Sequence, residues 1–84
     1  MKYVIYSDGL CAIFSNSISH RDMNINPINN PVISAGFCRV ETFRDNFDDV
    51  RAKVSCFGNS TSLGLGSRPE DENIIQSMFL SMNF

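Results

Sequence analysis

Eighty-four residues suffice for one small domain, and a chain of that size buries only about 60% of the surface its unfolded form exposes. The net charge of −2 argues against a sequence-independent nucleic-acid binder, which needs a basic face to displace counterions from phosphates, and the apolar runs are too short to cross a bilayer. The hydrophobic fraction of 43% is that of a folded protein, but the charged fraction of 19% falls below the usual level of about 25%, which suits either partial coverage by a second copy or a surface solubilised by Ser and Asn.

Met1 to Asp8 holds one basic residue and no adequate apolar segment, so it does not read as a signal peptide. Lys2–Tyr6 is rich in β-formers, Asp8-Gly9 is a favoured two-residue turn, and Leu10–Phe14 returns, which predicts a β-hairpin. A two-residue turn sets Tyr6 opposite Cys11 and Tyr3 opposite Phe14. Val4, Tyr6, Cys11 and Ile13 then share one face, and Tyr3, Ile5, Ala12 and Phe14 the other. Both faces are apolar and call for cover, one from a C-terminal helix and the other from the following loop or a partner subunit.

Residues 15–31 read as an Asn- and Pro-rich connector with one helical turn at 19–23, capped by Ser17 or Ser19. Val32–Phe43 is the third strand, in which Gly36 marks a bulge or a close backbone approach. Arg44–Asp49 is a polar turn. Val50–Phe57 alternates cleanly, with Val50, Ala52, Val54 and Cys56 toward the core and Arg51, Lys53 and Ser55 toward water. Ser62–Leu65 is a short fifth strand or an ordered loop. A helix is expected over about 68–82. Ser67 is its N-cap, Glu70 completes a capping box, and Pro69 lies in the first turn. Ile74, Ile75, Met78, Phe79 and Met82 form its buried stripe. The sum is a single α+β domain, a small antiparallel sheet of four or five strands packed against one C-terminal helix.

Chemistry-bearing residues are few. Cys11, Cys38 and Cys56 are odd in number and widely spaced, which fits buried thiols in a reducing cytosol and neither a disulfide framework nor a zinc site. No cofactor motif is present, and Asp45, Asp48 and Asp49 are offset from a calcium loop. Arg39, Arg51 and Lys53 lie on the solvent face of the sheet, and His20-Arg21-Asp22 sits in the connector. The Gly58–Ser67 loop is the richest stretch. Asn59, Ser60, Thr61 and Ser62 supply amides and hydroxyls, and Ser67 and Arg68 lie at the helix start, where free N–H groups favour anions. It lacks the lysine of a Walker loop. Those six residues are the expected contacts for a small anionic ligand, with His20 and Arg21 as outer members.

Ser34-Ala35-Gly36-Phe37 and Cys56–Asp71, with its Ser-Leu-Gly-Leu-Gly-Ser-Arg-Pro-Glu-Asp run, resemble elements shared by a group of small uncharacterised phage- and prophage-encoded proteins. The resemblance spans about half the chain and supplies no catalytic residues. It implies a viral protein in the host cytosol, in a setting of interference with host defence. The leading expectation is therefore a non-enzymatic, homo-oligomeric binder that sequesters a nucleotide-like immune signal. The alternatives are a protein–protein inhibitor of a defence complex, contacting it through the acidic 45–49 turn and an edge strand, and a small hydrolase with His20 as base.

Overall fold

The computed structural model describes residues 1–82. Strands β1 (Lys2–Tyr6), β2 (Cys11–Phe14), β3 (Val32–Arg44) and β4 (Val50–Phe57) form one antiparallel sheet in the order β2-β1-β3-β4. A two-stranded ribbon, β5 (Asn59–Ser60) with β6 (Leu65–Gly66), follows, and helix α1 (Pro69–Met82) closes the chain. The expected α+β architecture is the one observed.

The first hairpin departs from expectation by one residue. Tyr6 N–H donates to Leu10 O at 2.8 Å and Gly9 N–H to Tyr6 O at 2.9 Å, so the loop has three residues, with Gly9 left-handed at φ 87°. Tyr3 therefore faces Ile13, and Ile5 faces Cys11. Because side chains alternate with a period of two, the slip turns β2 over. Tyr3, Ile5, Cys11 and Ile13 now face the helix and pack with Cys38, Val54 and Ile75. Val4, Ala12 and Phe14 face the other way, among Val32, Ala35, Met23, Leu63 and Leu65. Both faces are thus covered from within the chain, the second by the connector and the β5–β6 ribbon together.

β3 is long enough to serve two partners. Its residues 32–37 pair with β1, and 37–44 pair with β4, Phe37 belonging to both ladders. The register shift lies between Ile5 and Tyr6 of β1, opposite Ile33, so Val32 joins Ala35 on the face away from the helix. Gly36 is the predicted close approach. A Cβ there would meet Phe57 O at 2.7 Å and Ser67 Cβ at 3.3 Å. Past Cys38, β3 leaves β1 behind and continues with β4 as an arm, which contributes to the elongated extents of 44 × 23 × 22 Å.

Helix α1 begins differently from the predicted capping box. Pro69 is its first residue, and the carboxylate of Asp71 accepts the Arg68 N–H at 2.9 Å. Glu70 instead meets Arg68 Nε at 3.2 Å. Ile75 is fully buried, with Ile74 and Phe79 packed at the margin of the same core. Met82, expected to end the stripe, lies outside the described side chains.

Candidate functional site

Gly58 and Gly66 carry the chain through the small ribbon on which the anion-binding expectation rests. Asn59 pairs with Gly66, Ser60 with Leu65, and Ser67 N–H donates to Gly58 O at 3.1 Å. Ser60 is buried. Its Oγ lies 3.3 Å from Ser62 Oγ and accepts the Leu63 N–H at 3.3 Å, which closes the intervening turn. Asn59, Ser60 and Thr61, with Gly64, Leu65 and Gly66, line an open cleft of about 400 Å³. Several hydroxyl and amide groups of this stretch therefore hold the ribbon's own backbone, while Asn59, Thr61 and Ser62 remain exposed.

Arg68 does not stand over that cleft as a free cation. Its Nη2 lies 2.9 Å and its Nε 3.0 Å from Asp71 Oδ1. Asp71 has no solvent-accessible surface, and its carboxylate also accepts Tyr3 OH at 2.6 Å and Ser34 Oγ at 2.9 Å. This network joins β1, β3 and the helix start around one buried charge, which its donors compensate. Burial and the hydrogen bond to Asp71 push the Tyr3 phenol above its ordinary value. Burial pushes the neighbouring Cys56 thiol up to about 12, and Cys11 and Cys38 shift upward for the same reason. All three cysteines are free thiols of low nucleophilicity at neutral pH. Asp71 was legible only as one of three acids in the first helical turn, and nothing local marks it as the residue that turns inward.

His20 is buried, where a loop histidine is ordinarily exposed. Of the two expected caps, Ser17 and Ser19, it is Ser19 that caps the short 3₁₀ turn His20–Met23. The imidazole lies between Phe14 and Phe37, each ring edge-on with centroids 5.6 Å away, and its Nε2 lies 2.7 Å from Gly36 O. A carbonyl only accepts, so Nε2 carries the proton of that bond. The ring thereby pins the connector to β3 at the glycine seam. Arg21, its neighbour, is exposed. Neither residue is among those lining the 59–66 cleft.

The arm offers a different kind of surface. Glu41 faces Lys53 and Phe43 faces Arg51 on the side away from the helix. At its tip Phe47 is 85% exposed and Phe43 is 50% exposed. Arg51 Nε holds Asp45 Oδ2 at 2.8 Å, and Asp45 Oδ1 accepts the Phe47 and Asp49 N–H groups, which keeps the acidic turn ordered. The bond from Arg51 holds the Asp45 carboxyl below the usual carboxylate range. Among the described residues no cluster of His, Cys, Asp or Glu is placed to hold a metal ion, and no helix is long and apolar enough to cross a membrane. No protein-family model, curated protein or solved structure matches this chain.

Proposed function

We propose that the protein is a non-enzymatic binding module that engages a protein target through the β3–β4 arm. The observation that carries this reading is the pair of phenylalanines, Phe43 and Phe47, exposed beside an acidic turn ordered by its own hydrogen bonds. Exposed aromatics on a preordered support are the usual anchors of protein interfaces, because little conformational freedom is lost when they are buried. The alternation of Arg51 and Lys53 with Glu41 and the three aspartates of 45–49 adds a charged rim suited to choosing a partner. On the resemblance of residues 34–37 and 56–71, the setting is viral and the target belongs to a host defence complex.

The test is retention of a host protein on the immobilised chain. The native sequence should retain a defined partner that Phe43→Ser/Phe47→Ser releases while the fold persists. Equal retention by both forms would overturn the reading. A second reading, sequestration of a small anion, is favoured by the cleft beside Asn59 and Thr61. It is weakened by the commitment of Arg68 to two carboxylates. A nucleotide that raises the melting temperature, with the shift lost in Asn59→Ala and Thr61→Ala, would put it first. Self-association no longer follows from the hairpin's two apolar faces, since the chain covers both.

A further inference from the structure

The sheet has two outer strands, β2 and β4, and they are built differently. β4 carries Arg51 and Lys53, and its Cys56 N–H is taken by Glu72 Oε1 at 3.0 Å. Charges and capped backbone groups are how natural sheets discourage edge pairing. Two copies aligned antiparallel about Ala52 would also set Arg51 against Lys53 of the other, a like-charge pair. β2 carries no such device. From Leu10 to Ser15 there is no charge and no proline, and its ladder with β1 runs without a bulge.

We infer that two copies of the chain pair antiparallel through β2, joining two four-stranded sheets into one. Tyr6 and Leu10 are hydrogen-bonded across the hairpin, so by alternation Cys11 and Ile13 turn their N–H and C=O groups outward. A two-fold axis at Ala12 places Cys11 opposite Ile13 of the second copy and satisfies those groups reciprocally. Ala12 then meets its own counterpart at a non-hydrogen-bonded position, where strands come closest and a methyl group fits. Leu10, 67% exposed in the single chain, falls opposite Phe14 of the second copy. On the helix side, Ile13 of the second copy reaches the rim of a groove of about 330 Å³ lined by Leu10, Cys11, Ile74 and Met78. Every cross-strand pair in this register is apolar and none is charged, so the edge is complementary to itself. This surface lies on the strand at the opposite edge of the sheet from β4, and its test stands or falls independently of the arm.

The intact chain should sediment at twice its monomer mass of 9.4 kDa at high concentration. Leu10→Lys, at an exposed position, should weaken dimerisation by about tenfold or more, because the two-fold axis makes the lost pair occur twice. Ala12→Cys should give a covalent dimer on mild oxidation that the native sequence does not form. A 9.4 kDa species across a hundredfold concentration range overturns the inference. So does an Ala12→Cys chain that stays monomeric on oxidation, or a dimer that ignores Leu10→Lys and responds to substitutions at Arg51 and Lys53.

Discussion

The two hairpins of the sheet turn through the same three-residue loop. In the first, Tyr6 N–H reaches Leu10 O at 2.8 Å; in the second, Asp45 N–H reaches Asp49 O at 3.0 Å. Gly9 N–H returns to Tyr6 O, as Asp48 N–H returns to Asp45 O, and both closing residues are left-handed, Gly9 at φ 87° and Asp48 at φ 62°. Yet β1 is buried on both faces, with β2 half-buried beside it, and the distal half of β3–β4 projects. The difference lies in the strands that flank the turns. Tyr3, Val4 and Ile5 alternate between two cores, whereas Arg51 and Lys53 alternate with Ala52 and Val54, so only one face of the arm is covered. The same local geometry thus makes a structural core in one place and a presenting surface in the other.

Removing the buried carboxylate should break the first hairpin's half of this contrast most severely. Asp71→Ala leaves Tyr3 OH, Ser34 Oγ and Arg68 without their acceptor, at a cost of about 3–5 kcal/mol, comparable to the whole stability of a small domain. Urea denaturation should show loss of the cooperative transition; a midpoint near that of the native chain would mean that the network contributes little.

Alkaline pH should act on the same region. The Cys56 thiol, with an ordinary value of 9.0, is pushed up to about 12, and the Tyr3 phenol is also raised from 10.0. Groups kept protonated by the fold contribute fully below their unfolded values, and that contribution is lost as pH climbs through the folded ones. The melting temperature should hold up to about pH 9 and fall steadily above it. A flat profile to pH 11 would contradict the burial of these groups.

Gly36 is where the two hairpins and the connector meet. Gly36→Ala drives a methyl group against Phe57 O, a backbone atom, and should cost about 2 kcal/mol, lowering Tm by about 10 °C. Phe37, next in the chain, carries the stacking on Phe57 and the edge contact with His20, so the nuclear magnetic resonance shifts of those rings should move together.

These positions differ in how far sequence reaches. Val50–Phe57, the extent of the helix and the short turn before Asn24 were legible, because each depends on alternation, periodicity or turn chemistry within a few residues, although the helix's cap was not. The Asp8-Gly9 turn was legible only as a turn. Gly9 serves a two-residue or a three-residue loop equally well, and the choice flips every side chain of β2. In the sequence Asp71 is one of three acids favouring a helix start, because its inward role depends on Tyr3, 68 residues away, and Ser34, 37 residues away. Arg68 stands out in the sequence as a cation at a helix start, but its carboxylate partners, buried Asp71 and exposed Glu70, belong to the chain itself. His20 needed Phe14, Gly36 and Phe37 to be brought together before its burial made sense.

Exchanging the left-handed residues of the two loops sharpens the comparison on a smaller scale. Gly9→Asp should cost about 1 kcal/mol, since it loses the glycine best suited to that conformation. Asp48→Gly should gain about 0.5 kcal/mol, because the Arg44–Asp48 pair it removes is exposed and contributes little. Opposite signs in chemical denaturation would confirm that the two loops share one geometry and differ only in its cost.

The smallest effect on stability is expected at the tip of the arm. Phe47→Ser replaces a ring that is almost wholly in water, so folding should change by less than about 0.5 kcal/mol, and a slight gain is as acceptable as a slight loss. Its neighbours Asp45 and Arg51 keep their bond, and the turn keeps its hydrogen bonds to the Phe47 and Asp49 backbone, neither of which involves the ring. A ring that contributes nothing to the fold yet stands on an ordered stretch of backbone is free to be selected for contact. The useful measurement is therefore the stability of Phe47→Ser by chemical denaturation. If Phe47→Ser lowers stability by more than 1 kcal/mol, the ring packs against the arm in solution and the division between body and presenting surface fails at the point where it was sharpest.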